Sequence, residues 1–305
     1  MHLALVTSEF AGEANAHGGL AAVSERLALA LTRRGFRVTV VVCSDRDHEE
    51  SLCPYRVLRV DTRTSAWIRI LDRLTLHRFA VVTNAWSLGR SLRRALRNLH
   101  RREPVAVLHY PNLGGLALFA PRLPLLVRAS CHRLAIAEAG DASLPRWHLA
   151  LLHRLETACM RRADIAIAPS RITADRCAAD SGRRVHAIPT VALISRPSGP
   201  PPDRGHDLLI AGTRSRLKGL DAVCALASTL LADHPDLHLT WIGADADAAG
   251  CDRLRGLDTD GRIHLERTLP RSQVLEAMRR CRVLLIPSRL DNLPNTLIEG
   301  LSTGA

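Results

Sequence analysis

Two carboxylates near the end of the chain have the residue types and the spacing of a ligand-binding pair. An apolar run, Val283–Ile286, leads into a polar loop, and a predicted helix begins near Asn295. Asp291 lies in the loop and Glu299 lies about one turn into the helix, with seven residues between them. Carboxylates placed in this way can accept hydrogen bonds from hydroxyls at two ends of one ligand. The alternative is that Glu299 is an ordinary first-turn helix acid and Asp291 a turn former.

The start of the same helix supplies backbone N–H groups. The first N–H groups of a helix have no acceptor within it and can bind a phosphate oxygen. In open α/β sheets, ligands bind at such loops, beyond the carboxyl ends of the strands. We therefore predict that four residues of this segment contact the ligand: Asn292, Asn295, Thr296 and Leu297.

A basic loop follows an earlier apolar run. Residues 212–219 read GTRSRLKG and precede another predicted helix. Cations at a strand end and a helix start can neutralise a diphosphate leaving group. We predict this role for Arg214, Arg216 and Lys218, and a solvated basic turn is the alternative.

A Gly-Gly pair, Gly18-Gly19, separates the first predicted strand from the first helix. Glycines let the backbone approach a ligand closely, and the start of the following helix favours an anion. The pair is not a G-x-G-x-x-G nicotinamide fingerprint. We predict that both glycines bind the ligand, with an ordinary turn as the alternative.

Apolar strand-like runs alternate with amphipathic helices almost throughout, which predicts doubly wound α/β domains. The predicted strands are Leu3–Thr7, Arg37–Cys43, Ala80–Thr83, Val105–His109, Leu123–Ala129, Asp164–Ala168, Asp207–Ala211, Leu237–Ile242 and Arg282–Ile286. The predicted helices are Leu20–Arg34, Leu88–Arg102, Trp147–Arg162, Leu220–Leu231, Arg271–Arg280 and one that begins near Asn295.

A segment rich in proline and glycine divides this series. Residues 195–205 read SRPSGPPPDRG and cannot continue a helix or a central strand. We predict a first domain over residues 1–195, a linker over 196–205 and a second domain over 206–305. The second series has three clear strands and no closing element, so we expect this domain to be incomplete and the natural chain to continue past Ala305.

The last motif, PSR-x-DNLPNT-x-x-EG-x-x-TGA, resembles glycosyltransferase family 4 and the E-x7-E motif of retaining glycosyltransferases. The resemblance implies a GT-B fold, with two Rossmann-like domains facing a cleft. It implies that Glu299 binds the ribose of a nucleotide-diphosphate sugar, such as a UDP- or GDP-sugar, and that Asp291 contacts hydroxyls of the donor sugar. It also implies retention of configuration, no cofactor and no metal.

Two further segments are similar to the same family. Lys218-Gly219 matches the end of a G-R-L-x-x-x-K-G pattern whose Arg and Lys hold the diphosphate, but Thr213 stands where the family has Arg. Gly18-Gly19-Leu20 is similar to an N-terminal GGL loop of these enzymes and of glycogen and starch synthases.

The family resemblance also implies a histidine near the transferred sugar. Ser130 falls where this histidine would stand in a V-R-L-H pattern, and His132 follows two residues later. We take His132 as the catalytic candidate, with His109 and His17 as alternatives.

The charge of the chain limits its partners. The formal net charge is +12, which suits phosphate-bearing partners, although nucleic acid would suit the charge equally well. In the helix Leu88–Arg102 one face is formed by five arginines: Arg90, Arg93, Arg94, Arg97 and Arg101. This face could meet acidic lipids or a polyprenyl-diphosphate acceptor, and a plain solvated face is the alternative.

The sequence also predicts the compartment and the absence of metal ligands. No apolar run approaches the roughly 18 residues that span a bilayer. The eight cysteines form no C-x-x-C pair and no zinc-ligand rhythm, which indicates reduced thiols. Asp245-Ala246-Asp247 fits a D-x-D metal pattern but follows a strand where the family has a glycine-rich turn. We expect a cytoplasmic protein with no metal site, at most peripheral on the inner face of the membrane.

These features predict an enzyme that transfers a sugar from a nucleotide-diphosphate donor to a glycan or lipid-linked acceptor. Three alternatives stay open. The chain could be a non-catalytic or decayed nucleotide-sugar-binding protein, a nucleotide-sugar epimerase of the same fold, or a basic nucleic-acid binder. We predict no nucleic-acid partner.

Overall fold

The computed structural model describes residues 1–10, 19–52, 54–63, 68, 70, 73, 80–140, 145–190, 206–258 and 260–304. The chain divides into two compact units. Unit 1 comprises Met1–Leu134 and Ser143–Leu193, and unit 2 comprises Ala135–Ala142 and Ile194–Ala305. The predicted linker, residues 196–205, lies outside the described residues.

Unit 1 is built on one sheet whose strands lie in the order β3-β4-β2-β1-β5-β6-β7-β8. All neighbouring strands are parallel except β3, which runs antiparallel to β4. The strands are β1 (His2–Thr7), β2 (Arg37–Ser44), β3 (His48–Leu52), β4 (Tyr55–Asp61), β5 (Val107–Pro111), β6 (Leu125–Arg128), β7 (Ile165–Ala168) and β8 (Val185–Ala187).

The helices described before β9 are α1 (Gly19–Arg33), α2 (Ala80–Arg102), α3 (Arg133–Glu138), α4 (Arg146–Arg162) and α5 (Arg171–Ser181), and 3₁₀ turns occupy Leu113–Phe119. Central strands such as β2 are apolar along almost their whole length because both faces of a parallel sheet are covered. Val40, Val41 and Val42 of β2 are fully buried. The cores lie between this sheet and its helices.

Unit 2 contains a second parallel sheet, with strand order β11-β10-β9-β12. Its elements are β9 (His206–Ala211), α6 (Leu220–Asp233), β10 (Leu239–Ile242), α7 (Ala248–Gly256), β11 (Ile263–Glu266), α8 (Arg271–Arg280), β12 (Cys281–Leu284) and α9 (Asn295–Thr303). Trp241 and Leu220 are fully buried at the centre of its core.

Most predicted elements are present, and one prediction is wrong. Ala80–Thr83 is the first turn of α2, not a strand. The buried residues of α2 recur at spacings of three and four: Ala85, Gly89, Leu92, Leu96 and Leu99. This helical period extends the helix N-terminally, and a run of four apolar residues does not by itself separate a strand from a buried helix segment.

Four strands were not predicted: β3, β4, β8 and β11. Three of them are short or carry charged residues at their ends, and β3 reads His-Glu-Glu-Ser-Leu. Such segments form strands because they pair with a neighbouring strand, and their own residue pattern does not predict it. Seven cysteines in the described part of the chain are free thiols. Among the described residues, no helix is long and apolar enough to cross a membrane.

Candidate active site

The strand order of unit 2 defines where its ligand site should lie. From β9 the chain passes through β10 to β11 on one side and then returns to place β12 on the other side of β9. The boundary between β9 and β12 is therefore the topological switch point, where open α/β sheets bind ligands at the carboxyl ends of the strands. Leu284 of β12 pairs with Leu209 of β9, so the loops after both strands leave the same edge.

Lys218 and Asp291 meet at this edge. Lys218 lies in the loop after β9, Asp291 lies in the loop after β12, and the Lys218 Nζ donates to Asp291 Oδ2 at 2.5 Å. The two side chains are 36% and 22% exposed. Residues 73 positions apart in the sequence are thus brought into direct contact by the sheet topology.

Composition marks Lys218 as unusual. The chain contains 42 Lys and Arg residues, and Lys218 is its only lysine. An ammonium is a compact point charge on a flexible stem, whereas a guanidinium is a planar fork, so the two groups are not interchangeable. In a chain that otherwise uses arginine for every basic side chain, the lone lysine indicates a position that requires the smaller cation.

Gly219 allows this contact between the two loops. Its φ is +85°, and a Cβ at this position would lie 2.1 Å from the backbone oxygen of Pro287 in the loop after β12. Only glycine accommodates both the left-handed backbone and the close approach. The backbone N–H of Arg289 also donates to the Leu217 oxygen at 2.9 Å, which joins the same two loops.

Glu299 lies within α9, and its side chain is 14% exposed. Its Oε1 pairs at 3.0 Å with Arg271, the first residue of α8. The structure thus places Glu299 and Asp291 on the same loop–helix segment, as predicted, with one cation beside each carboxylate.

The first turn of α9 follows Pro294, which occupies the N-cap position without a side-chain capping hydrogen bond. The Oδ1 atom of Asn295 is buried and has no hydrogen-bond partner in the part of the chain that the structure describes. Thr296 is half-buried, and Leu297 is exposed. Asn295, Thr296 and Leu297 therefore form the first turn of α9, directly after the loop that carries Asp291 and Asn292.

Arg214 has a structural role that the sequence analysis did not predict. It is 3% exposed, and its guanidinium pairs with Asp245 and donates to the backbone oxygens of Trp241 at 2.7 Å and Glu266 at 2.9 Å. These contacts engage the Nε and Nη1 groups of Arg214 within unit 2, and its contact with a diphosphate stays a prediction. The hydrogen bond from Arg214 also lowers the pKa of Asp245 to about 2.

The same contacts explain the D-x-D pattern. Asp245 is the partner of Arg214, and Asp247 caps α7 by accepting from the Gly250 N–H at 2.9 Å. Both acids therefore serve the fold of unit 2. Arg216, in contrast, is 54% exposed and pairs with Asp221 at 3.2 Å, so it remains near the predicted site.

His132 in unit 1 lies beside an acidic side chain, and its catalytic role stays a prediction. Its Nε2 lies 2.6 Å from Asp180 Oδ2 of α5, and the residue is 9% exposed. His109 is the other described candidate, and burial together with the nearby Arg128 lowers its pKa to about 3. His17 and Gly18 lie outside the described residues, and Gly19 is the first residue of α1.

The arginine face predicted on α2 is present. Arg90, Arg94 and Arg101 line a surface groove of about 440 Å³ together with Trp86. The Arg90 guanidinium lies 5.4 Å from the centroid of the Trp86 ring, a cation–π contact. This groove combines concentrated positive charge with an aromatic surface.

Three solved structures are similar to the chain over 99% of its length. Sucrose-phosphate synthase from Thermosynechococcus elongatus gives a TM-score of 0.73 at 14% identity, with 79% of that chain covered. WaaG, a glycosyltransferase involved in lipopolysaccharide biosynthesis, gives 0.69 at 15% identity and 79% coverage. A UDP-forming α,α-trehalose-phosphate synthase from Burkholderia xenovorans gives 0.67 at 13% identity and 81% coverage. The predicted GT-B fold class is confirmed.

Sequence comparison gives the family. No curated protein sequence matches the chain significantly. The family model described as Glycosyltransferase Family 4 matches residues 17–192, more than half of the chain. This match covers most of unit 1 and the short segment Ala135–Ala142, and it is independent of the C-terminal motif. The chain is therefore a member of glycosyltransferase family 4.

Proposed function

We propose that this protein transfers a sugar from a nucleotide-diphosphate donor to a glycan or lipid-linked acceptor, with retention of configuration at the anomeric carbon. The observation that carries the proposal is the contact between Lys218 and Asp291 at the switch point of unit 2. It joins the cation expected for a diphosphate to the carboxylate expected for a sugar. Family membership supports the transferase class, and the finer assignments rest on these residues.

The Lys218–Asp291 pair suggests how donor binding proceeds. An ion pair this exposed contributes only about 0–1 kcal/mol. A diphosphate carries more charge than one carboxylate, so it would take the ammonium from Asp291 at little cost. Asp291 would then be free to accept hydrogen bonds from hydroxyls of the donor sugar. This one exchange of partners would place the Lys218 ammonium at the leaving diphosphate and the Asp291 carboxylate at the donor sugar.

The α9 start and Glu299 complete the proposed donor contacts. The first N–H groups of α9 would hold a phosphate oxygen beside Lys218, and Glu299 would accept from the ribose hydroxyls while Arg271 holds its other side. Lys218 and this helix start would stabilise the charge that develops on the leaving diphosphate. Arg216 would add a second, more exposed cation. We leave Arg214 and His132 out of the donor contacts because both are bound within the protein.

Two details of the substrates follow from the neighbours and from α2. Because one structural neighbour is UDP-forming and another acts in lipopolysaccharide biosynthesis, we propose a UDP-sugar donor as the first to test and an acceptor in cell-envelope polysaccharide biosynthesis. The arginine-lined groove of α2 would hold an anionic acceptor or the anionic inner face of the membrane. The protein would then act in the cytoplasm, peripheral to that surface.

Calorimetric titration with UDP and GDP tests the donor site. We expect Glu299→Ala to weaken binding of the preferred nucleotide by more than about tenfold, since a buried hydrogen bond to a charged group contributes roughly 1.5–3 kcal/mol. Glu276→Ala is the matched control, because Glu276 is an exposed glutamate of α8 in the same unit. Equal affinity of the Glu299 variant and the control would refute the site.

Product analysis separates the alternatives. A transferase converts the donor only when a glycan or lipid-linked acceptor is present, apart from slow hydrolysis. An epimerase changes the donor sugar without any acceptor. Nucleotide binding with neither transfer nor hydrolysis over hours would identify a non-catalytic binding protein and contradict the proposed activity while leaving the binding site intact.

A further inference from the structure

Three metal-ligating side chains of unit 1 converge outside the proposed donor site. His132 follows β6, His153 lies on α4 and Asp180 lies on α5, and one ligand atom from each lies within 4.8 Å of the others. Asp180 Oδ2 is 2.6 Å from His132 Nε2 and 3.4 Å from His153 Nε2. The two imidazole rings stand edge to face, with centroids 5.5 Å apart.

These distances approach those of a tetrahedral metal site. Zinc binds imidazole nitrogen and carboxylate oxygen at about 2.0–2.2 Å, so neighbouring ligand atoms around the ion lie about 3.4 Å apart. The separation between His153 and Asp180 has this value already. The separation between His132 and Asp180 is shorter by about 0.8 Å, a difference that rotation of the carboxylate can supply.

The surroundings provide room and a further acceptor. The cluster lines a cavity of about 10 Å³, room for one water molecule beside an ion held between the three ligand atoms. Glu156 lines the same cavity and is 3% exposed. Its Oε1 accepts from Arg133 at 2.5 Å and from the Gly114 N–H at 3.2 Å. Its Oε2 is buried without a hydrogen-bond partner among the described residues.

A buried carboxylate oxygen without a hydrogen-bond partner is costly unless another group satisfies it. Glu156 and His153 lie three residues apart on α4, so they share one helix face. A water molecule bound to an ion held by the three ligands would donate a hydrogen bond to Glu156 Oε2. The unpaired oxygen is thus the second, independent feature that indicates an ion at this position.

We propose that His132, His153 and Asp180 bind one divalent transition-metal ion, with a water molecule as the fourth ligand and Glu156 as the acceptor of that water. Two imidazoles and one carboxylate, with a water molecule as fourth ligand, form one of the ligand sets that bind zinc in proteins. The sequence predicts no metal ligands, because these three residues come from three elements and form no spacing pattern.

The ion would act as a structural cross-link. It would fasten the loop after β6 to α4 and α5, and it would fix the ring orientation of His132. Binding of this kind contributes to folding free energy because the three ligands are far apart in the unfolded chain. The site does not depend on the proposed donor chemistry, since its residues all belong to unit 1 and the donor residues belong to unit 2.

Metal titration of the full chain tests the proposal. After treatment with a chelator, the protein is titrated with Zn²⁺ by calorimetry and with Co²⁺ by visible absorption. We expect one ion per chain and the intense visible bands of tetrahedral Co²⁺. His153→Ala and Asp180→Asn should each weaken Zn²⁺ binding by at least about tenfold, the lower end of the effect of losing even an outer-shell partner.

Matched controls lie in the same unit. His186→Ala removes an exposed histidine of β8, and Asp175→Asn removes an exposed carboxylate of α5. Both should leave Zn²⁺ affinity unchanged. If circular dichroism shows that a ligand variant does not fold, the Co²⁺ spectrum of the unsubstituted protein still tests the proposal.

Three results would overturn the proposal. The first is the absence of Zn²⁺ binding, which would leave the cluster a hydrogen-bond network only. The second is binding that His153→Ala and Asp180→Asn do not weaken, which would indicate adventitious binding by other histidines among the fourteen of the chain. The third is the weak spectrum of octahedral Co²⁺.

Discussion

Gly219 offers a test of whether the loop after β9 is held against the loop after β12. The change is Gly219→Ala, which adds a Cβ 2.1 Å from the Pro287 oxygen and 2.7 Å from its carbonyl carbon. An alanine with a left-handed backbone costs about 1–2 kcal/mol. Relief of the overlap with backbone atoms costs about 1–3 kcal/mol more. We therefore expect unit 2 to lose about 2–5 kcal/mol in free energy of unfolding.

Gly261→Ala isolates the effect of the close approach. Gly261 lies in the same unit with φ of +70°, but a Cβ there has nothing within 4 Å. This variant should lose only the conformational cost of about 1–2 kcal/mol. Urea denaturation followed by tryptophan fluorescence measures both variants, because Trp241 is fully buried in the core of unit 2.

Gly219→Ala should also weaken nucleotide binding, because the displaced loop carries Lys218 away from Asp291. Gly261→Ala should leave binding unchanged. The reasoning is refuted if the two variants lose the same stability, or if Gly219→Ala binds nucleotide as well as the unsubstituted protein does.

Three further predictions concern single side chains. Lys218→Ala should weaken UDP binding by about 10- to 100-fold, because it removes one charge-assisted hydrogen bond to the diphosphate. It should change the affinity for UMP much less, and calorimetry with both nucleotides measures the difference. Arg214→Ala should do the reverse: it removes the two hydrogen bonds from the guanidinium to the Trp241 and Glu266 carbonyl oxygens and lowers the stability of unit 2 by about 2–4 kcal/mol in urea denaturation. Nucleotide affinity under folding conditions should stay the same. The free energy of unfolding should fall as the pH drops below 6.5, because His109 binds a proton in the unfolded chain but not in the folded chain, where its pKa is about 3. Urea midpoints measured between pH 7 and pH 4 test this. His109→Leu should flatten the dependence of the midpoint on pH.

The sequence predicted the parts of the fold that depend on local pattern. The apolar runs of the central parallel strands agree with the structure because burial on both faces leaves a clear signal. The helix Arg271–Arg280 agrees because it carries an amphipathic pattern of helical period. The strand β3, with two glutamates, gives no such signal because only its pairing with β4 makes it a strand.

The elements that carry the predicted donor residues could be read from the chain itself. Asp291 and Glu299 belong to one continuous segment, and a strand end followed by a helix start locates both. The role of Arg214 was not predictable, because its acceptors come from β10 and from the end of β11. The two arginines of this loop look equivalent in sequence, and only tertiary burial distinguishes the internal Arg214 from the exposed Arg216.

The convergence of His132 and Asp180 was equally hidden. Their contact joins positions 48 residues apart, and neither has a spacing typical of a metal motif. Sequence pattern reports periodicity along an element, whereas this cluster depends on how three elements pack. One signal was available and was missed: the count of lysines, which marks Lys218 without any structural knowledge.

The solitary ε-amino group has a practical consequence for anyone who handles this molecule. Reagents that attack primary amines can react only at the N-terminus and at the position beside Asp291. Coupling to an activated surface would therefore obstruct the proposed phosphate contact in a fraction of molecules and mimic an inactive enzyme. The same chemistry becomes an advantage when the reagent is an isotopic methyl group, since one resonance would then report on occupancy of the site.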